Sequence, residues 1–585
     1  MCGIVGYIGE KSESHLLRGL EMLEYRGYDS AGIAVIRNKK MNVFKEVGKV
    51  ENLKLKVQEC ESFGVGIAHT RWATHGKVNL ENAHPQLSEN RKIALVHNGI
   101  IENYDILKSE LLNKGVKFDG DTDSEVIVKL LGDDLNLEKI NYVMKKLEGS
   151  YALAIITEEE DKIYFAKDKS PLYVVKFDGR AMIASDPSCF AQFAKVYYDL
   201  SDGEYGVITK DKIRIYKNGK LEKKKAKAID FKFSSQGHDG FNHYMIKEIY
   251  QSGEALQNII ARYSQKKMRD YIKNIASQDI EKIYLIGCGT AFHASLIGKS
   301  YLKNYTEFEV ECELASEFVN QKNRINSKSL CIFISQSGET ADTISALKFC
   351  QERDALTLTI TNVEYSTLAK LSNYVLPICA GQERAVASTK AYFAQCIVLN
   401  ILAKVFAHQN YISSLKGFAK ALDYGDDEQI KQITNNIYLK NELFFIGRGI
   451  DYITCQEASL KLKEISYINS QALPSGELKH GTLALIDRNS IVISIITDEA
   501  LFKKSINNAC EIKSRGGKLI LFTSFDVTKE IEEIFDYIVQ IKEAPYDFMP
   551  LQTIIQLQKL AYFTSIKRGN NPDMPRNLAK SVTVE

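Results

Sequence analysis

The stretch KIYLIGCGT at 282–290 returns 160 residues later (282 to 442) as ELFFIGRGI at 442–450. LCIFISQSGET at 330–340 is answered at the same spacing by SIVISIITDEA at 490–500, and ALTLTITN at 355–362 by KLILFTS at 518–524 near it. No other feature narrows the fold as much. Each repeated piece is a short apolar, β-branched run that ends in small residues and leads into a helical pattern. Strands that alternate with helices imply βαβ units and a parallel sheet. The repeat predicts two α/β doubly wound parallel-sheet domains in tandem, over 245–412 and 413–574.

The copies differ where it matters chemically. After its strand the first has Ser335-Gln336-Ser337-Gly338-Glu339-Thr340, and the second has Ile495-Ile496-Thr497-Asp498-Glu499-Ala500. Hydroxyls and glycine at a strand-to-helix junction offer donors and a helix N-terminus to an anion. Asp498 and Glu499 would repel one. A phosphate site is therefore expected in the first copy only. Thr290 and Ser388 stand at equivalent junctions, where open α/β sheets bind ligands. Taken singly, each such serine or threonine is equally a helix cap.

Residues 1 to about 225 read differently. Short alternating runs such as SAGIAVIR, KIALVHNG, YALAIIT and KIYFAKD predict strands, and HLLRGLEML and TDSEVIVKLL predict helices. This is an α+β domain, assigned to 2–225. Its first run follows Cys2 directly. With Met1 removed, Cys2 would carry a thiol beside a free α-amine that titrates at about 7.7–8.0, a nucleophile with its own base. It is equally an ordinary small apolar residue opening a strand. Asn98-Gly99 after KIALVH would supply an amide and a backbone N–H for an oxyanion. Arg71 would grip a carboxylate. Asp123 would cap a helix or bind an ammonium group. Trp72 is the one tryptophan of the chain.

Composition adds mainly exclusions. The formal net charge of 585 residues is +2, which gives no field for nucleic acid or an anionic membrane. The lysine cluster of NGKLEKKKAKAIDFKFSSQGHDGFNHY reads as a solvated linker, 226–244. Eleven cysteines are scattered with no C-x-x-C pair, which reads as reduced thiols in a cytoplasmic protein without a leader. CIVLNILAKVFA is too short to span a bilayer and reads as a core helix. Nothing calls for a metal or an organic cofactor.

CGIVG at 2–6, LEYRGYDSAG at 23–32, HTRWATHG at 69–76, NAHP at 82–85, HNGIIENY at 97–104 and DTDSE at 121–125 resemble the class II glutamine amidotransferases, which are N-terminal-nucleophile (Ntn) hydrolases. CGT at 288–290, SQSGETADT at 335–343, VASTKA at 386–391, LKLKEISYI at 460–468, GELKHG at 476–481 and PRNLAKSVTVE at 575–585 resemble tandem sugar-isomerase (SIS) domains. Their union in one chain is similar to the glucosamine-6-phosphate synthase family, whose substrates are L-glutamine and fructose 6-phosphate. The resemblance implies a cytoplasmic homodimer and the following roles. Cys2 attacks the glutamine amide. Arg71 and Asp123 hold the amino acid, with Trp72, Thr74 and His75 beside it and Trp72 gating a path for ammonia. Asn98 and Gly99 form the oxyanion hole. Ser335, Gln336, Ser337 and Thr340 cradle the phosphate, and Thr290 and Ser388 help bind the sugar. His480, from the neighbouring subunit, opens the ring. Lys580 forms a Schiff base within a closing tail, 575–585. Glu464 shuttles a proton, with Lys461 and Glu457 alongside.

Glu457, Lys461 and Glu464 fall on one helical face, a spacing that without the resemblance reads as a surface ion-pair ladder. The chain departs from the family pattern at Ala291, where serine is usual, at Gln251-Ser252, and at NNPDMPR before the tail. Three other readings compete. A phosphoribosyl-transferring amidotransferase leaves SQSGET unexplained. A sugar-phosphate sensor has no use for Lys580. An amine-releasing sugar isomerase has none for Cys2.

Overall fold

The computed structural model describes residues 2–229 and 237–583. Met1, residues 230–236 of the expected linker and residues 584–585 of the expected tail lie outside them. The chain divides into two compact units, residues 1–236 with 581–585, and residues 237–580.

The first unit is built on two antiparallel sheets. In one, strand Gly3–Glu10 pairs with Phe63–Arg71 on one side and Arg180–Ala184 on the other. In the other, Ile93–Ile101 pairs with Gly149–Thr157. Alternation along each strand dictates the layers. Ile4 and Ile8 join Val96, Ala154 and Phe165 in a core between the sheets. Val5 and Tyr7 point the other way, onto helix Ser12–Leu23. Ile93 and Leu95 likewise turn outward, onto helices that include Asp123–Leu131. Four layers result, helix–sheet–sheet–helix. Helices Tyr104–Asn113 and Leu137–Met144 are additional to the two expected from sequence; the first has weaker apolar periodicity than they have, and the second is only eight residues long. Part of the lysine-rich stretch is strand: Lys227–Ala228 pairs with Val196–Asp199, so this sheet continues past residue 225.

The second unit holds two five-stranded parallel sheets. In the first, Lys282–Gly287 lies between Glu309–Leu314 and Ser329–Ser335, followed by Leu356–Thr361 and Tyr374–Pro377. The second repeats this order with Glu442–Gly447 between Asn469–Pro474 and Ile491–Ile496, then Lys518–Thr523 and Tyr537–Gln540. The order 2-1-3-4-5 places a topological switch point beside the first strand of each sheet, where ligands bind. CIVLNILAKVFA, up to its last residue, falls in helix Lys390–Phe406, all of whose residues are buried. Among the described residues no helix is long and apolar enough to cross a membrane.

Candidate functional site

Cys2 lies immediately before strand Gly3–Glu10, and the register Gly3↔Thr70 sets it beside the end of Phe63–Arg71. The backbone N–H of Trp72 donates to Cys2 Sγ at 3.3 Å, and Sγ lies 3.5 Å from the Trp72 carbonyl oxygen. Asn98 comes from the other sheet, and its Nδ2 donates to the Cys2 carbonyl oxygen at 3.0 Å. Cys2, Trp72, Thr74, Asn98 and Gly99 line one pocket, together with Ser170 and Pro171, which no sequence motif marked. Burial pushes the Cys2 thiol up from its ordinary value, while the Trp72 N–H and the Arg71 guanidinium pull it down. A thiol so placed stays protonated until a base takes its proton.

Gly99 has φ +134°, and a Cβ there would sit 2.0 Å from the Ser150 carbonyl oxygen. Only glycine lets this strand pass so close to its neighbour. Arg71 is buried and its guanidinium donates to the carbonyl oxygens of His75 and Lys77. It therefore shapes the loop after Trp72 as well as carrying a charge near Cys2. The His75 ring packs edge-on against Tyr104, and Trp72 edge-on against Tyr28. Asp123 opens helix Asp123–Leu131, where a carboxylate suits the dipole. Its Oδ2 accepts the N–H of Ile101 at 3.0 Å, and Ser124 Oγ donates to its Oδ1 at 3.3 Å.

The second cluster occupies the switch point of the first parallel sheet. Ser335 Oγ accepts the Gly338 N–H at 3.0 Å and lies 3.1 Å from Thr340 Oγ1, so the loop between them is tightly folded. Ser337 Oγ accepts the Glu339 N–H at 3.2 Å. Gly338 has φ +67°, and a Cβ would meet Ser366 Oγ at 2.0 Å. Gln336 stands half-buried at the loop's start.

Thr290 begins helix Thr290–Tyr305 at the neighbouring strand end. Lys461 Nζ donates to Thr290 Oγ1 at 2.8 Å and to Glu464 Oε2 at 2.6 Å, and lies 3.5 Å from Glu457 Oε1. Lys461 and Glu457 side chains are 0% exposed and Glu464 20%. The i, i+4, i+7 set is thus buried polar machinery, against the surface ladder that spacing alone suggests. Burial would lower the Lys461 pKa, but Glu457 and Glu464 hold it above its ordinary value.

Lys580 also lies in this unit, its side chain 2% exposed. Its Nζ donates to Ser388 Oγ at 3.1 Å and forms an ion pair with Glu383. Glu383 was not marked by sequence, yet it accepts N–H groups of Thr389 (2.9 Å) and Ala391 (3.0 Å) at the start of helix Lys390–Phe406, and the Ser388 hydroxyl at 3.0 Å. Burial would raise its pKa, but Lys580 and these donors hold it below the ordinary value. Behind it, burial and the charge of Glu383 push Glu248 up to about 8. His293, equally unmarked, sits with Nδ1 2.7 Å from Glu457 Oε2.

His480 stands apart. It is exposed, on the short segment Ser475–His480, and has no hydrogen bond or ion pair among the described residues. In the second sheet the corresponding loop is filled from within the chain. Asp451 takes the N–H of Thr497 at 2.8 Å and the Thr497 hydroxyl. Burial pushes its carboxyl up to about 7. Its side chain occupies the donors that an anion would use. Among the described residues no group of His, Cys, Asp and Glu is arranged to hold a metal ion.

A glutamine amidotransferase domain model matches residues 69–192, and an SIS domain model matches residues 276–405 and 436–562. Over all of both chains, this one is 40% identical to the protein of Fusobacterium nucleatum named glutamine–fructose-6-phosphate aminotransferase (isomerizing). It is 39% identical to that of Thermococcus kodakarensis and 40% to that of Staphylococcus aureus, which bear the same name and are also covered in full. Among solved structures, the C-terminal domain of glucosamine-fructose-6-phosphate aminotransferase from Francisella tularensis matches 58% of this chain and all of its own. The TM-score is 0.53 and the identity 33%.

Proposed function

The chain belongs to the family of isomerising glutamine–fructose-6-phosphate aminotransferases, and on that premise we propose a role for each residue of the two clusters. The reaction is the family's. The amide nitrogen of L-glutamine passes to D-fructose 6-phosphate, and the product is isomerised to D-glucosamine 6-phosphate with L-glutamate released. This is the entry step of amino-sugar nucleotide biosynthesis.

In the first unit, with Met1 removed, the α-amine of Cys2 takes the thiol proton and Sγ attacks the glutamine carboxamide carbon. Asn98 Nδ2 and the Gly99 N–H receive the oxyanion. Ammonia leaves, and water cleaves the resulting thioester to glutamate. Arg71 pairs with the substrate carboxylate and Asp123 with its ammonium. Trp72, Thr74 and His75 enclose it.

In the second unit, Ser335, Gln336, Ser337 and Thr340 bind the phosphate, and Thr290 and Ser388 the sugar. Lys580 Nζ condenses with the C2 carbonyl, with loss of water, and ammonia then adds to C2 and displaces the lysine, which leaves as the free amine. Glu464 moves the proton between C1 and C2, held in place by Lys461 and Glu457. His480 acts as acid and base on the ring oxygen. Its exposure, away from Lys580 and Glu464, supports a homodimer in which it completes a neighbour's site. The odd, dispersed set of eleven cysteines supports a reducing cytoplasm. The division that accompanies these roles is 2–225, a linker to 244, 245–412, 413–574 and a tail.

The observation that carries this assignment is the buried network joining Lys461 to Thr290 and Glu464. A protein that merely binds sugar phosphate gains nothing from burying those charges, which costs several kcal/mol per ion before pairing. Glutamine and fructose 6-phosphate given together should yield glucosamine 6-phosphate by mass spectrometry, and glutamate without amino sugar would refute the assignment. Cys2→Ala should abolish that product while fructose 6-phosphate binding survives.

A further inference from the structure

We infer that His69 is a positioning residue for amide hydrolysis: it fixes the Asn98 side chain with its nitrogen, not its oxygen, turned toward Cys2. His69 Nε2 lies 2.9 Å from the His97 carbonyl oxygen and 3.1 Å from Asn98 Oδ1. A carbonyl oxygen can only accept, so Nε2 carries the proton and the atom it meets on Asn98 is an acceptor. At the other end of the same amide, Nδ2 lies 3.0 Å from the Cys2 carbonyl oxygen, again an obligatory acceptor. The two contacts demand the same orientation. A flipped amide would face a donor with its NH2 and a carbonyl with its oxygen, losing both bonds at once.

The ring is held for this task. His69 is 1% exposed and stacks on His84 with centroids 4.1 Å apart. His84 Nδ1 accepts the His97 N–H at 3.3 Å. Burial pushes His69 down to about 3, so the imidazole is neutral at working pH. Its Nδ1 is buried with no partner among the described residues. An unpaired buried nitrogen costs stability, which packing alone does not explain. Of the two N–H groups of Asn98, one goes to Cys2 and the other has no partner among the described residues. That second donor belongs to a side chain lining the pocket with Cys2 and Gly99.

The inference rests on Asn98 acting as an oxyanion donor, and its test separates the two ideas. Glutamine hydrolysis by the full-length protein is measured for Asn98→Ala, His69→Met, His69→Gln and the His69→Met/Asn98→Ala pair. Asn98→Ala should lower kcat by about 10²–10³. His69→Met should lower kcat at least about tenfold with glutamine KM little changed, the mark of an interaction made in the transition state. His69→Gln, which keeps an N–H near Nε2, should recover most of that loss. The double variant should be no worse than Asn98→Ala. Unchanged kcat in His69→Met, or losses that multiply in the double variant, would overturn the inference. An unaffected Asn98→Ala would remove the oxyanion reading and the inference with it. A cooperative melting transition of the first unit at the wild-type temperature checks that each variant is folded. If His69→Met does not fold, His69→Asn, whose shorter amide stops short of Asn98, takes its place with the same two outcomes.

Discussion

Single residues carry two kinds of constraint here, and the sequence disclosed only one. Cys2, Asn98 and Gly99 were legible because they lie within a few residues of a strand end and belong to local motifs. His69, Glu383 and His293 were not, because their meaning comes from partners 29, 197 and 164 residues away. Gly99 shows both kinds at once. It is a proposed oxyanion donor, but its φ of +134° and the Ser150 carbonyl oxygen 2.0 Å from a would-be Cβ make it a structural necessity. Gly99→Ala should therefore destabilise the fold by at least the about 1–3 kcal/mol of a strained backbone, and lower the melting temperature of the first unit. Loss of hydrolysis at an unchanged melting temperature would instead place its whole effect in the chemistry. Lys461 supplies a second case. Lys461→Met leaves Glu457 buried without its cation, and breaking a buried pair from one side costs about 3–5 kcal/mol. Chemical denaturation at neutral pH should show a loss of that order. No loss would mean that His293, whose Nδ1 lies 2.7 Å from Glu457 Oε2, holds the carboxylate without the lysine.

At the level of elements, the repeat made the parallel sheets legible, since a strand–helix alternation leaves few other architectures. Periodicity could not say which side of helix Ile450–Ser466 faces the interior, because a helix hydrophobic or polar all round offers no contrast. Glu457, Lys461 and Glu464 lie on a buried face that looked, by spacing, like a solvent-exposed one. The first turn of the same helix carries Asp451, whose carboxyl takes the Thr497 N–H in the loop that corresponds to the phosphate loop proposed for the first sheet. Sequence expected that loop to repel phosphate and credited Asp498 and Glu499. The group that fills it is Asp451. Its carboxyl is raised to about 7 from an ordinary aspartate value. Between about pH 4 and 7 the native state thus binds a proton that the unfolded chain has released, so stability falls as pH rises through that window. At about 1.4 kcal/mol per tenfold change the ceiling is about 4 kcal/mol. Asp451→Asn keeps the acceptor for Thr497 without the titration. Its stability curve should be flatter than the wild type's between pH 4 and 7, and equal slopes would show that Asp451 is not perturbed in solution.

At the scale of the whole molecule, two compact units carry two clusters of different chemistry, and only one of the proposed catalytic groups has no neighbours of its own. Inside one unit, Lys580, Ser388 and Glu383 are joined by hydrogen bonds and an ion pair, and so, as a second group, are Thr290, Lys461 and Glu464. His480 is exposed and contacts none of them. A side chain proposed for ring opening but displayed outward is what a twofold dimer with shared sites would require, since each protomer then presents the same surface to the other. This is open to a complementation experiment. His480→Ala and Lys580→Ala should each be inactive in amino-sugar synthesis. When the two are unfolded together, mixed and refolded, about half the dimers should be heterodimers. In each of these one site joins the intact Lys580 of one protomer to the intact His480 of the other, and the second site lacks both. Synthesis should return to about a quarter of the wild-type rate for random pairing of a closed dimer. Recovery should require mixing before folding, and each variant refolded alone should stay inactive. If the mixture is as inactive as its parents while sizing shows that heterodimers have formed, His480 serves the site of its own chain. Its exposure would then have to be relieved by closure of that chain on the sugar.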